Sequence, residues 1–73
     1  MPRLEIVSEV TGTVWKVEAQ VGQTVTEDDV IMIIESMKME IPVTSSDAGT
    51  VVELLVAEGN TVSEGQHVAT IER

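Results

Sequence analysis

The sequence contains no cysteine, phenylalanine or tyrosine, and only one tryptophan. Without cysteine, neither disulfide bonds nor thiolate metal sites can stabilise the 73-residue chain, so its core must be aliphatic. No apolar run approaches the roughly 18 residues of a membrane-spanning helix. The first residues also lack the apolar region of a secretory signal. We therefore expect one small domain over residues 1–73, located in the cytoplasm and without membrane contact.

Basic side chains are scarce as well. Four Lys and Arg stand against 13 Asp and Glu, which gives a formal net charge of −9. Surfaces that bind nucleic acid or anionic lipid are basic, so the composition predicts neither partner. The one histidine, His67, has no second His or Cys to complete a metal site. Ser8, Ser45 and Ser46 could suggest nucleophiles, but a hydrolase triad needs a base, and His67 lies in a strand far along the chain. We predict neither catalytic residues nor a metal site.

Almost every segment is typical of strands and turns. Short runs rich in β-branched residues alternate with glycines and polar residues, and no stretch keeps the 3.6-residue period of an amphipathic helix. The clearest strand covers residues 30–34, and residues 41–44 are also extended by propensity. These patterns predict an all-β fold.

The second half of the chain repeats the first. When the numbering is shifted by 37 residues, many glycines, threonines and valines coincide without a gap. The identical pairs include Gly12 with Gly49, Gly22 with Gly59, and Thr24 with Thr61. A repeated unit that cannot bury its apolar face alone packs against its second copy. We therefore predict a flattened barrel or sandwich of two four-stranded antiparallel sheets, related by a pseudo-two-fold axis.

The repeat also suggests structural roles for individual residues. Asp28 coincides with Gly65, and Asp is among the few residues that tolerate the left-handed region. Trp15 coincides with Val52, which favours an apolar, partly covered position, with contact to a partner as the alternative. Positive φ or bulges that shape turns are expected at the shared glycines, Gly12, Gly22, Gly49 and Gly59.

A single lysine lies between the predicted strands at 30–34 and 41–44. The connection is Glu-Ser-Met-Lys-Met-Glu, so a hairpin forms with Lys38 near its tip. Met37 and Met39 stand where a tip normally carries Gly, Asn or Asp, and exposed methionines suit adaptable binding surfaces. Under the shift Lys38 falls on Met1, which places the tip and both termini at opposite ends. The pattern indicates an amine presented to a lysine-modifying enzyme.

The sequence Glu-Ser-Met-Lys-Met-Glu-Ile-Pro at residues 35–42 resembles the attachment motif of the biotinyl/lipoyl carrier domain family. The repeated glycine and valine pattern extends this resemblance over the whole chain. It is strongest to the stand-alone biotin/lipoyl attachment proteins and to the carboxyl carrier domain of biotin-dependent carboxylases. The resemblance implies that biotin protein ligase joins biotin to the Lys38 amine. It also implies that Met37, Met39 and Glu35 are ligase recognition residues.

The same resemblance implies the other partners. In this family a biotin carboxylase loads CO2 on the biotin, and a carboxyltransferase passes it to an acceptor, as in acetyl-CoA carboxylase. The chain itself would be a non-catalytic carrier. Two departures from the family pattern stand out: Ser36 replaces the usual Ala, and Ser-Glu-Val-Thr at 8–11 replaces an Ala-Pro-rich segment.

Two other functions stay open at this point. Lipoyl domains share Glu35, Gly22 and Gly49 but usually carry Asp-Lys-Ala at the tip, so lipoylation, alone or together with biotinylation, is the alternative modification. A function of another class is an unmodified interaction or adaptor module, because related hairpins occur in efflux assemblies. Those hairpins lack a lysine framed by methionines.

Overall fold

A computed structural model describes residues 2–73 of the chain. The described residues form eight strands and no helix, so none of them form a helix that could cross a membrane. The strands are short, as expected for runs of β-branched residues broken by turns. In chain order they are β1 (Arg3–Val7), β2 (Gly12–Val17), β3 (Thr24–Val25), β4 (Val30–Ser36), β5 (Met39–Thr44), β6 (Gly49–Leu54), β7 (Thr61–Val62) and β8 (His67–Glu72).

The strands form two four-stranded antiparallel sheets, which confirms the predicted architecture. Sheet A has the order β1-β8-β6-β3, and sheet B has the order β5-β4-β2-β7. A shift of 37 residues carries β1 onto β5, β2 onto β6, β3 onto β7 and β4 onto β8. It therefore converts the order of sheet A into that of sheet B. Each sheet contains strands from both copies, so neither copy is a sheet by itself.

The core between the sheets is aliphatic, as the composition requires. The fully buried residues come from both copies and include Val14, Ile31, Ile34, Val51 and Ile71. Every buried side-chain oxygen and nitrogen within residues 2–73 has a hydrogen-bond partner. Burial of these Val and Ile side chains is the main favourable term in a domain without disulfides.

Turn chemistry follows the repeat in detail. Gly22 and Gly59 have φ of 95° and 91°, which confirms the positive φ expected at these two glycines. Asp28 has φ of 74° where its counterpart Gly65 has 84°, which confirms that Asp28 adopts the left-handed conformation. The buried Ser8 and Ser45 are also equivalent, and each donates its hydroxyl to the carbonyl two residues further along. These serines hold turns together rather than act as nucleophiles.

Gly12 and Gly49 differ from the turn-shaping role expected of them. They begin β2 and β6, and neither has a positive φ. Their requirement is space. A Cβ on Gly12 would overlap the Glu35 carbonyl oxygen, and one on Gly49 would overlap the Glu72 carbonyl oxygen. The backbones of neighbouring strands approach too closely at these points for any side chain.

Trp15 lies at an irregular point in β2. The register of β2 against β4 shifts between Val14 and Lys16, so Trp15 is the extra residue of a β-bulge. The equivalent shift occurs in β6 between Val51 and Glu53. Trp15 is 50% exposed, so the sole aromatic residue of the chain is outside the core.

Candidate functional site

The β4–β5 hairpin closes through a two-residue turn made of Met37 and Lys38. Pairing continues to the last residues of the strands, since Ser36 opposes Met39. Met37 has φ of 52° and Lys38 has φ of 65°, and positive φ at both central residues is characteristic of a type I′ turn. Asn-Gly is the usual sequence for this turn, because non-glycine residues are disfavoured there. Lys38 thus lies at the apex of the hairpin, as predicted.

The apex is open to solvent. Lys38 is exposed, Met37 is 92% exposed and Met39 is 63% exposed. Within residues 2–73, no carboxylate lies at ion-pair distance from the Lys38 amine. Two apolar side chains held in water beside a free amine contribute nothing to the core. They are available to a partner that reaches Lys38.

The strands beneath the apex carry an acidic pair. Glu35 of β4 directly opposes Glu40 of β5, and both are exposed. Like charges placed opposite each other across two strands are destabilising. Thr13 of β2 opposes Glu35 on its other side, so no basic residue of sheet B offsets the pair in this row. The residues predicted for ligase recognition, Glu35, Met37 and Met39, therefore lie within one turn and the strand ends that feed it.

The hairpin is tied to the loop between β1 and β2. The Ser36 hydroxyl donates to the Thr11 carbonyl oxygen at 2.9 Å, and the Thr11 hydroxyl accepts from the Glu64 amide at 3.0 Å. This contact joins the two departures from the family pattern, Ser36 and the segment at 8–11. Sequence reasoning treated these departures separately and did not assign Thr11 to the site. Local propensity gives no signal for this contact, because sheet pairing brings Ser36 and Thr11 together.

The apex and the described terminal residues lie at opposite ends of the domain. Arg3 opposes Glu72, and the Arg73 amide donates to the Pro2 carbonyl at 3.0 Å, so the described terminal residues meet at one end. β1 then runs away from that end to the loop that contacts Ser36. The longest dimension of the domain is 36 Å. A partner can therefore bind the end of the domain that carries Lys38, here called the lysine end, without meeting Pro2 or Arg73 at the terminal end.

The other lysine has different surroundings. Lys16 lies within β2, and its amine is 3.5 Å from a Glu18 carboxylate oxygen. It therefore has an ion-pair partner and is paired with Ile33 of β4, whereas Lys38 lies in a turn outside the strands. The two lysine amines therefore differ in accessibility to a partner, since only the Lys16 amine has an ion-pair partner within residues 2–73.

The described residues offer no second chemical centre. No group of three His, Asp or Glu side chains within residues 2–73 could hold a metal ion. A hollow between β1 and β5 has a volume of about 70 Å³, well below the several hundred Å³ of a small-molecule site. A broader groove of about 460 Å³ between Val17 and Leu54 is a shallow surface open to solvent. The chemistry available in this domain is that of the Lys38 amine.

Comparison with known proteins agrees with this arrangement. The family described as "Biotin-requiring enzyme" matches residues 3–71, which is almost the whole chain. A biotin carboxyl carrier protein from Streptococcus mutans is 45% identical over 60 residues, covering 82% of this chain and 46% of that protein. A biotin/lipoyl attachment protein from Bacillus subtilis is 39% identical over 57 residues, covering 78% of each chain.

A solved structure shows the same fold at high similarity. The urea carboxylase of Kluyveromyces lactis superposes with a TM-score of 0.93 and 38% identity, covering 99% of this chain and 6% of that one. The chain thus spans about half the length of the Streptococcus mutans carrier and a small part of the urea carboxylase. It corresponds to one domain of these larger proteins.

Proposed function

This chain belongs to the biotin/lipoyl domain family, and we propose that it is a carrier domain holding biotin as an amide on the Lys38 nitrogen. The observation that carries the proposal is the geometry of the turn. Lys38 is exposed at the apex of a two-residue turn with positive φ, between two exposed methionines and opposite the chain termini. No other turn within residues 2–73 has positive φ at two successive residues.

The residues present fit such an attachment. Amide formation joins the carboxyl carbon of biotin to the Lys38 nitrogen; the bond from that carbon to its activating group breaks, the activating group leaves, and the ammonium loses two protons. Within residues 2–73, no carboxylate at ion-pair distance and no histidine beside Lys38 could take those protons. Activation and proton removal therefore fall to a separate biotin protein ligase. This chain contributes a rigid, accessible amine.

The carrier would serve a biotin-dependent carboxylase. When bound, biotin supplies a group that accepts and releases a carboxyl group. The turn holds the attachment point away from the body of the domain, which lets one tethered group reach a biotin carboxylase and then a carboxyltransferase. Relatives named as a carboxyl carrier protein and a urea carboxylase support this class of partner. Acetyl-CoA carboxylase is one enzyme of the class.

Intact mass after co-expression with biotin protein ligase tests the proposal. We expect one biotin adduct on the wild-type chain and none on the Lys38→Arg variant. Lys16→Arg is the matched control, because it removes the only other lysine and should leave the adduct in place. An unmodified wild-type chain, or an adduct on Lys38→Arg, would contradict the proposal.

Lipoate is the second candidate for the same amine. It is favoured by one observation: a relative that matches 78% of this chain is named for both groups. The same mass experiment with a lipoyl ligase separates the candidates. We expect biotin to be attached faster, because Met37 and Met39 replace the Asp and Ala usual beside a lipoylated lysine.

A further inference from the structure

The two sheets carry equivalent rows of outward-facing residues. In sheet B, Trp15 and Lys16 of the bulge together oppose Ile33, and Ile33 opposes Pro42. We call these four residues the Trp15 row. In sheet A, Thr70 is paired with Glu5 of β1 on one side and with the bulge of β6 on the other. The equivalent row therefore consists of Val52, Glu53, Thr70 and Glu5. We call it the Thr70 row.

The Thr70 row is closed by its own hydrogen bonds. The Thr70 hydroxyl donates to a Glu53 carboxylate oxygen at 3.0 Å, and His67 Nε2 lies 2.8 Å from the same hydroxyl. Thr70 is only 3% exposed as a result. The Thr70 hydroxyl and the Glu53 carboxylate thus have partners within sheet A, so this part of its outer face needs no other protein.

The Trp15 row is open and apolar. Trp15 is 50% exposed, Pro42 is exposed and Ile33 is half-buried. Lys16, the only charged member, is paired with Glu18. Tryptophan is a residue type that dominates protein–protein interfaces, since it offers a large apolar area with one polar hydrogen. The equivalent bulge position in β6 holds Val52, so the repeated backbone accommodates valine there without a tryptophan.

The Trp15 row continues into the lysine end. Lys38 comes five positions after Ile33 in the chain, which is at most about 17 Å at strand spacing. One side of a standard protein interface covers about 800 Å², or about 30 Å across, so one partner can cover both features. The acidic pair Glu35 and Glu40 lies between them. A partner on this face meets apolar groups, then two negative charges, then the amine.

We infer that the Trp15 row is the docking surface for the ligase that modifies Lys38. This inference rests on the proposed function and adds the face from which the enzyme approaches. The ligase surface it requires has an apolar patch opposite Trp15 and Ile33, bordered by Arg or Lys side chains opposite Glu35 and Glu40. That charge complementarity also suits an acidic carrier with a net charge of −9. Sheet A, with its closed Thr70 row, faces away from the ligase.

Biotinylation kinetics with Trp15→Val test the inference. The variant installs the residue that the second copy carries at the equivalent position, so the fold should tolerate it. We expect KM for the carrier to rise at least tenfold, with kcat within twofold of the wild type. Val52→Ala, on the equivalent position of sheet A, is the control and should change neither constant by more than twofold. A Trp15→Val variant with wild-type KM would overturn the inference.

A direct binding measurement removes any dependence on variant folding. Because Trp15 is the only tryptophan, 5-fluorotryptophan incorporation gives a single 19F resonance. We expect this resonance to shift or broaden when ligase is added to wild-type carrier. A resonance that ignores the ligase, or responds only to a carboxylase subunit, would reject the ligase as the occupant. A wild-type chain that is never biotinylated overturns both the proposed function and this inference, whereas normal labelling of Trp15→Val overturns this inference alone.

Discussion

The two ends of the domain are equivalent in the repeat but carry charged pairs of opposite effect. At the terminal end, Arg3 opposes Glu72 and the two form an ion pair at 3.3 Å. At the lysine end, the equivalent positions hold Glu40 and Glu35, which repel each other. The same backbone therefore carries an attractive pair at one end and a repulsive pair at the other.

The two ends also differ in backbone conformation. The lysine end is closed by the turn of Met37 and Lys38, both with positive φ, whereas at the terminal end the described residues Pro2 and Arg73 are joined by a backbone hydrogen bond. A non-glycine residue in the left-handed region costs about 1 kcal/mol. Departures from favourable local chemistry concentrate where a protein functions. The comparison therefore supports the proposal that a partner recognises the lysine end, with the terminal end as its stable counterpart.

The largest effect is expected from a methyl group at the close approaches. Gly12→Ala and Gly49→Ala should each lower the free energy of unfolding by about 2 kcal/mol, because the new Cβ overlaps the backbone of a neighbouring strand. Thermal melting should show a loss of about 10 °C for each variant.

The rate of biotinylation, measured below the melting temperature of both variants, then distinguishes a change near the lysine end from one near the terminal end. Gly12→Ala should slow labelling, because the strand it displaces at Glu35 leads into the Lys38 turn. Gly49→Ala displaces Glu72 and should label at the wild-type rate. Equal labelling rates for both variants would show that the lysine end tolerates backbone shifts.

An intermediate effect is expected at the turn itself. Met37→Asn should raise the free energy of unfolding by about 1 kcal/mol, since Asn adopts positive φ readily. The same substitution should slow biotinylation if the ligase reads the methionine. Urea unfolding and ligase kinetics measure the two quantities. Met37→Leu is the control, because it keeps the conformational cost and alters only the side chain. Wild-type labelling of both variants would exclude Met37 as a recognition residue.

The smallest effect concerns the charged pairs. Glu40→Arg copies the terminal end onto the lysine end and should stabilise the domain by about 0.5 kcal/mol. Arg3→Glu does the reverse and should destabilise it by about the same amount. Both changes should shrink in 1 M salt, where the screening length falls to about 3 Å. Only Glu40→Arg should slow biotinylation. Changes of equal sign in stability would refute the equivalence of the two pairs.

Much of the fold and the apex could be read from the sequence because the signals are local or periodic. The runs of β-branched residues indicated strands, and the coincidence of Gly22 with Gly59 indicated a repeated turn. The short connection around Lys38 left no room for anything but a hairpin. These features depend on residues close in the chain, or on the similarity of one copy to the other.

Other features depend on contacts between distant residues. The requirement for glycine at position 12 comes from the backbone of Glu35, which is 23 residues away in the chain. The hydrogen bond from Ser36 to Thr11 joins a hairpin to a loop in another part of the sequence. Neither can be read from local propensity, since the partner's position is set by sheet pairing.

By itself, then, the sequence determined an all-β domain, its two-fold repeat and a single lysine at a hairpin apex, because alternation and turn chemistry act over a few residues. Only the tertiary structure decided that Trp15 lies at a bulge beside Ile33 and Pro42, while the equivalent face closes over Thr70. Strand register and a bulge decide which side chains share a face. As a result, two similar sequence copies form two different outer faces: the Trp15 row is exposed, whereas the Thr70 row is covered by its own hydrogen bonds.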